Sequence, residues 1–412
     1  MGSHEEIDYA RDKSIEVIIT DHHKIGLKTP NAYAIINPWL DENKSLPFRD
    51  YSGSGVAFKL CHAINIKLNL EKIFIDKLMN CAMIGTISDK VNIINENRYI
   101  SFFGYNQLSS GNNLGISLLN SRISKNKTEV NISKIIQIIN MATKLEDSSI
   151  GVKLLTTKNP VQANNYVNKI LSTYNKNKTV FSNAIQSAIR QAHSQDYKKH
   201  KSIFILSDYD SAYNGAIANR LSLNFNIPCI VISRMKGSEF KGSCRSVEGI
   251  DILSLINSNK DIFLNLGGHP MAAGFIIEQK NINQFKSLFL DFMKSKDVSI
   301  KNKIFPIDGK IRFNSIDDEM IEFLQKFKPY SRGNAVPRFK TSNVSVVGKP
   351  SIFGIDNNSI KFKLENNNIR INAIGFNLIN QFEILLSKNK LNIEYSILMN
   401  DNKINLKVYN IS

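Results

Sequence analysis

The stretch IEVIIT, residues 15–20, runs directly into Asp21-His22-His23. Five of its six residues are β-branched. Such side chains are stiff at χ1 and fit a pleated surface, so the run reads as a short buried strand. Moving outward, GSGVAFKLCHAI (53–64) has helical spacing with small residues on one face, and LMNCAMIGTIS (78–88) is apolar and leads into Asp89. Strands alternating with helices indicate a parallel α/β domain, in which ligands bind beyond the carboxyl ends of the strands. Asp21, His22 and His23 occupy such a position. Imidazole and carboxylate together suit a divalent transition metal such as manganese. Taken alone, the triplet serves equally well as a polar cap on a strand, and a single Asp89 as a helix cap or turn residue.

Beyond Asn159 the pattern changes. The segment up to about residue 199 is polar with a thin apolar stripe, and Pro160 suits a first helical turn, so one long connecting helix or two in sequence are expected. A second α/β unit follows: strands SIFILS (202–207) and PCIVIS (228–233) flank the helix AIANRLSLNF. Then come a loop rich in Gly, Ser and basic residues, a helix near 250–257, the segment LGGHPMAAGFII and a last helix, NINQFKSLFLDFMKS. From about Lys303, short strand-like runs (KIRFNS, VSVVGK, SIKFKLE, IRINAIGF, IEYSILMN, KINLKVYN) alternate with Asn, Gly, Asp and Lys, which suggests a small β-barrel of the OB type.

The chain has 412 residues, enough for about two to four domains. No apolar run approaches the roughly 18 residues of a membrane span, and the polar, acidic start has no signal-peptide core, so a cytoplasmic protein without membrane contact is expected. Cys61, Cys81, Cys229 and Cys244 form no CxxC pair and read as buried, reduced thiols. The formal charge is +17. That attracts polyanions, nucleic acid first among them. The Lys-, Asn- and Ile-rich composition of an AT-rich genome would supply much of the same charge.

Two further segments carry chemistry. In Gly267-Gly268-His269-Pro270-Met271-Ala272-Ala273-Gly274 the paired glycines allow close backbone approach, and His269 can donate to a phosphate or move a proton. A structural glycine turn is the rival explanation. Lys241-Gly242-Ser243-Cys244-Arg245-Ser246 joins cations, hydroxyls and small residues in a combination that suits phosphate, although a solvated basic loop accounts for it equally well.

Together these four motifs resemble, in order and spacing, the RecJ branch of the DHH phosphoesterases. SHEEIDYARDKSIEVIITDHH (3–23), AYAIINP, SGSGVAFKL, ENR (96–98) and GNAVPRF (333–339) continue the likeness across essentially the whole chain. The resemblance implies a DHH phosphoesterase domain over 1–157, a connecting helix over 158–199, a DHH-associated domain with the GGH motif over 200–299 and an OB-fold over 300–412. It implies a 5′-to-3′ exonuclease for single-stranded DNA in repair and recombination, with two divalent ions, Mn²⁺ or Mg²⁺. Asp21, His22, His23 and Asp89 match metal ligands, with His22, Asp89 and His269 catalytic. Lys241, Ser243, Arg245, Ser246, Gly267 and Gly268 match the groups around the 5′-phosphate and the DNA. A monomer working with a helicase or single-strand-binding protein is the family expectation.

The chain also departs from the family pattern. The family's first two motifs would precede Ser3, so several metal-binding carboxylates and the first strand or strands of the sheet are expected to be missing, and activity of this chain alone is in question. Ile138 stands where the family has an Arg, in Gln137-Ile138-Ile139-Asn140-Met141-Ala142-Thr143-Lys144, and Asp210 stands where it has a His. Both changes are expected to remove positive or ionisable groups from DNA-facing positions. A catalytically incomplete fragment or accessory subunit that binds single strands without cutting is the competing reading. Hydrolysis of short oligonucleotides or cyclic dinucleotides is a third.

Overall fold

The computed structural model describes residues 2–26, 28–40, 45–124, 130–235, 237–296, 306–354, 357–400 and 403–412. The expected boundary between residues 299 and 300 lies outside them.

In the first unit, strands β1 (Ile18–Thr20) and β2 (Ala34–Ile36) pair in parallel, Ile18 opposite Ala34 and Thr20 opposite Ile36. Helices Gly53–Lys67, Met79–Asp89, Asn95–Ser109, Leu114–Ile123 and Ile132–Leu145 surround one apolar core. The last of these has Ile132, Ile135, Ile139 and Ala142 on one face, the spacing that points a stripe at a core, and Asn131 caps it by accepting from the Lys134 N–H. The expectation of a buried strand at 15–20 is corrected. Only Ile18–Thr20 is strand, and Ile18 is 57% exposed. Parallel sheets are normally covered on both faces, but here the face of β1 that carries Ile18 and Thr20 is exposed, while Ile19 on the other is half-buried.

The helix Pro160–His193 is a single rod of 34 residues, about 50 Å long. Asn159 caps it by accepting from the N–H groups of Val161 and Gln162, and Pro160 takes the first turn, where no donor is needed. Val167 and Ile170 belong to the first core, whereas Ala184, Ala188 and Ala192 belong to the next, so one helix is shared by two cores.

The second unit is a five-stranded sheet in the order β3 (Ile203–Ser207), β4 (Cys229–Arg234), β5 (Glu239–Arg245), β7 (Ala272–Glu278), β6 (Phe263–His269). The β3–β4 pair is parallel and the other neighbours are antiparallel. The sheet buries both faces, one together with the long helix and helix Asn214–Phe225, the other with helices Ile252–Ser258 and Ile282–Lys294. Residues 241–245 are therefore strand and not the expected loop. Gly and Ser have weak strand preference, but alternation decides here: Phe240, Gly242 and Cys244 are buried while Lys241, Ser243 and Arg245 are less so.

In the third unit β8 (Gly309–Lys310), β9 (Phe339–Phe353), β10 (Ser359–Asn366), β11 (Ile369–Gly375), β12 (Leu391–Asn400) and β13 (Lys403–Ile411) form one sheet. Pairing of β10 with β9 closes five of these strands into a barrel around Tyr395, Leu364 and Leu406. KIRFNS, expected as strand, contributes only Lys310; Phe313–Ser315 is a 3-10 turn that buries Phe313 in the barrel core. The barrel meets both other units. The Ile93 N–H donates to the Arg332 carbonyl at 2.8 Å, and Asn377 Nδ2 donates to Asn224 Oδ1 at 3.3 Å.

Of the cysteines, Cys229 and Cys244 are buried and unpaired, as expected, and burial pushes both thiols well up. Cys61 is exposed, a correction: it sits on the outward face of helix Gly53–Lys67.

Candidate metal and phosphate-binding site

The Asp21 N–H donates to the Ile36 carbonyl and so extends the β1–β2 ladder by one bond before the chain turns. The three residues thus lie just past the carboxyl ends of both strands. Asp21 Oδ1 accepts from the His22 N–H at 2.7 Å, the His23 N–H at 3.1 Å and His23 Nδ1 at 2.7 Å. Burial alone would raise the Asp21 pKa. Hydrogen bonds to it, those from His23 and His22 among them, outweigh it together and hold the carboxyl well below the usual range. His22 Nδ1 lies 3.1 Å from the Tyr51 carbonyl and 3.6 Å from Asp89 Oδ2. Asp89 is the last residue of its helix, where the dipole disfavours a carboxylate and a cation would offset the cost. Ligand atoms of Asp21, His22 and His23 all fall within 4.8 Å of one another. One carboxylate and two imidazoles at that spacing, with Asp89 beside them, fit a divalent cation.

His269 comes to this face from the second unit. It ends β6 in the hairpin with β7, where Gly268 has φ of +147° and an added Cβ would lie 2.5 Å from the Ala272 carbonyl oxygen. Only glycine suits that position. The His269 ring stacks on His23, with centroids 5.2 Å apart and planes within 6°, and the His23 and His22 rings are 4.4 Å apart. Burial, then the neighbouring His23, push the His269 pKa down, against an opposing pull from Asp89. An added Cβ on Gly267 would meet nothing within 4 Å, so the strand is open to approach there.

Beside this face cationic and hydroxyl side chains of β5 gather at a helix start. The two-residue period of β5 turns Lys241, Ser243 and Arg245 to the side occupied by helix Asn214–Phe225. A Cβ on Gly215 would lie 3.4 Å from both Ser243 Oγ and an Arg245 nitrogen, so the helix N-terminus faces this pair. Asn214 anchors that helix end, donating to the Lys241 carbonyl at 2.7 Å and accepting from Ser233 Oγ at 2.6 Å. Arg245 donates to Ser243 Oγ at 3.2 Å and leaves the hydroxyl proton for a ligand. Burial first, and then repulsion by other cations, lowers the pKa of Lys90 (by Arg245) and of Lys144 (by Arg245 and Lys241). Ser243 and Arg245 thus lie beside a helix start, within electrostatic reach of Lys90 and Lys144, an arrangement that can attract a phosphate.

Lys90 and Lys144 were not singled out from sequence. Lys90 directly follows Asp89, and Lys144 ends the stretch where Ile138 marks a departure. Ile138 is fully buried in the first core, so its replacement takes no charge from the cleft. Asp210 is exposed and accepts from the Ala212 N–H at 2.8 Å, capping the turn before helix Asn214–Phe225. Ser246 faces away from Ser243 and Arg245: it is buried and its hydroxyl donates to the Ile250 carbonyl at 2.7 Å.

Three family models match the chain: the DHH family N-terminal domain over residues 1–86, the DHHA1 domain over 201–295 and the RecJ OB domain over 307–408. The single-stranded-DNA-specific exonuclease RecJ of Bacillus subtilis is 26% identical over 381 residues, 90% of this chain and 47% of that protein. The same enzyme from Haemophilus influenzae is 26% identical over 401 residues, 92% of this chain and 69% of that protein. The chain thus spans about half to two thirds of the length of these relatives. RecJ from Thermus thermophilus, solved with Mn²⁺, shares the fold with a TM-score of 0.79 and 21% identity, covering 100% of this chain and 60% of that one. No helix among the described residues is long and apolar enough to cross a membrane. With DHH, DHHA1 and RecJ OB domains in that order, the chain is a RecJ-like member of the DHH superfamily.

Proposed function

We propose that the cleft binds the 5′-phosphorylated end of single-stranded DNA and serves hydrolysis of its first phosphodiester, releasing mononucleotides 5′ to 3′ in DNA repair and recombination. One observation carries this reading: His269 of the second unit stacks on His23 of the Asp21-His22-His23 group at 5.2 Å, and Lys90, next to Asp89, feels the charge of Arg245. A terminal phosphate held by Ser243, Arg245, Lys144 and the start of helix Asn214–Phe225 directs the following phosphodiester toward Asp89 and His269.

Asp21, His22, His23 and Asp89 would hold divalent cations, a pair of Mn²⁺ or Mg²⁺ in this reading. Relatives solved with each ion support that choice. When bound, such ions polarise the scissile phosphate and neutralise its developing charge. The chain's own residues orient and solvate. Asp21 fixes the His23 ring, and His269, whose pKa desolvation and His23 push down, can hydrogen-bond a phosphate oxygen.

Downstream nucleotides would run along the barrel, which carries aromatic rings capped by cations. Arg338 lies 3.8 Å over Tyr409, Lys361 4.9 Å over Phe353 and Lys407 5.9 Å over Phe376. Bases stack on such rings while the cations attract the backbone, and no second strand is needed.

The test is release of mononucleotides from a 5′-phosphorylated single strand with Mn²⁺. Release is expected for the wild type and lost in His22→Ala and Asp89→Ala, with strand binding retained. Wild-type binding without release would overturn the hydrolytic part and leave a binding protein. Equal affinity for duplex would overturn the single-strand part.

A further inference from the structure

The His22 ring is held by a network that starts on a different helix. Asn97 is fully buried near the start of helix Asn95–Ser109, and its Nδ2 donates to the Asp50 carbonyl at 2.6 Å and the Asn92 carbonyl at 2.9 Å. Both partners are pure acceptors, so the amide orientation is forced. The neighbouring Glu96 takes the hydroxyl of Tyr51 and is itself paired with Lys59 at 2.7 Å. Two consecutive residues of one helix therefore hold the backbone and the ring of the dipeptide Asp50-Tyr51. On its other side this strap is fixed by Ser52, which caps helix Gly53–Lys67 and meets Thr86 Oγ1 at 2.9 Å, on the helix that carries Asp89. The carbonyl of Tyr51, one residue past the carbonyl that Asn97 holds, faces His22 Nδ1 at 3.1 Å. A carbonyl can only accept, and the more distant Asp89 carboxylate, 3.6 Å from the same nitrogen, favours the same form, so Nδ1 carries the proton and Nε2 is left with its lone pair.

We propose that Asn97 is a positioning residue for the metal face: by fixing the Asp50-Tyr51 backbone it sets the tautomer of His22 and makes Nε2 the ligand atom. This rests on the metal reading above for its consequence, and on hydrogen-bond geometry alone for its structural part. Metal-bound histidines commonly have the other ring nitrogen fixed by a carbonyl or carboxylate, and loss of that partner weakens metal binding about 10–100-fold. Here the carbonyl is itself held from one residue further out.

Asn97→Asp tests it, because the side chain keeps its shape but turns a donor into an acceptor facing two carbonyls. Long-range ¹H–¹⁵N spectra of the metal-free, histidine-labelled full chain, with His22 assigned by its loss in His22→Gln, report the tautomer. Mn²⁺ titration by calorimetry reports affinity. The wild type should carry the proton on Nδ1. In Asn97→Asp the Nε2–H form should appear and Mn²⁺ affinity fall about 10–100-fold. Leu406→Ala, in the barrel core, should lower stability and move neither readout. Should Asn97→Asp fail to fold, Glu96→Gln, at a half-buried position, should move both readouts the same way by less. A wild-type proton on Nε2, or no movement of either readout in these variants, overturns the proposal. Absence of Mn²⁺ binding by the wild type would instead refute the metal reading, and the metal-free tautomer would still decide the role of Asn97.

Discussion

The imidazoles of His23 and His269 lie face to face, 5.2 Å between centroids, although one follows β1 in the first unit and the other ends β6 in the second. This contact brings the first unit's metal-ligand triplet and the second unit's GGH segment together. His269→Ala should lower kcat for mononucleotide release by about 10²–10³-fold, the usual cost of losing one donor to a developing oxyanion. Binding of the strand should change little. Steady-state rates with Mn²⁺ check it, and an unchanged kcat removes His269 from the reacting centre.

Arg245→Ala should abolish most of the preference for a 5′-phosphorylated strand over a 5′-hydroxyl strand. A charge-assisted hydrogen bond contributes about 1.5–3 kcal/mol, or roughly 10–150-fold in relative Kd. Fluorescence anisotropy on paired oligonucleotides measures it. A variant that keeps the preference places the terminal phosphate elsewhere.

Lys144→Ala and Lys90→Ala should each weaken binding across all sequences and lower the slope of log K against log salt by about one unit, since each releases one fewer counterion. The repulsion both cations feel from Arg245 motivates this. A wild-type slope in either variant excludes that lysine from phosphate contact.

Tyr409→Ala should cost long single strands about 1–3 kcal/mol of binding, the contribution of one stacked base. A dinucleotide with a 5′-phosphate should bind unchanged, because it is too short to reach the barrel. Equal losses for both lengths would argue that the substitution disturbs the fold.

Gly242→Ala should destabilise the second unit by about 1–3 kcal/mol, the cost of overpacking a filled core. The added Cβ would fall 2.0 Å from Phe275 Cζ, on the strand paired with it in register. Denaturant unfolding reads the change, and wild-type stability would mean that Phe275 has room to move.

Local pattern was enough for the elements whose signal is local. Pro160 after Asn159 and the thin apolar stripe announced the long helix, and the β-branched run before Asp21 placed the triplet at a strand end. The short alternating runs after Lys303 indicated the barrel. The order of the motifs pointed to the DHH, DHHA1 and OB domains. What remained illegible depends on partners distant in sequence. Gly and Ser made residues 241–245 look like a loop, and only Phe275 packing over Gly242 and pairing on both sides make them a strand. That strand in turn separates Ser243 and Arg245, on the ligand side, from Ser246, which is spent on Ile250. Ile138 could be compared with an arginine by position, but only the core shows that it never faced the cleft. Lys90, Lys144 and Asn97 carry no periodic signature at all. Their significance comes from where the folded chain brings Arg245, Lys241 and the Tyr51 carbonyl, and residues that attract, repel or bond across a cleft leave no mark in the spacing of either segment.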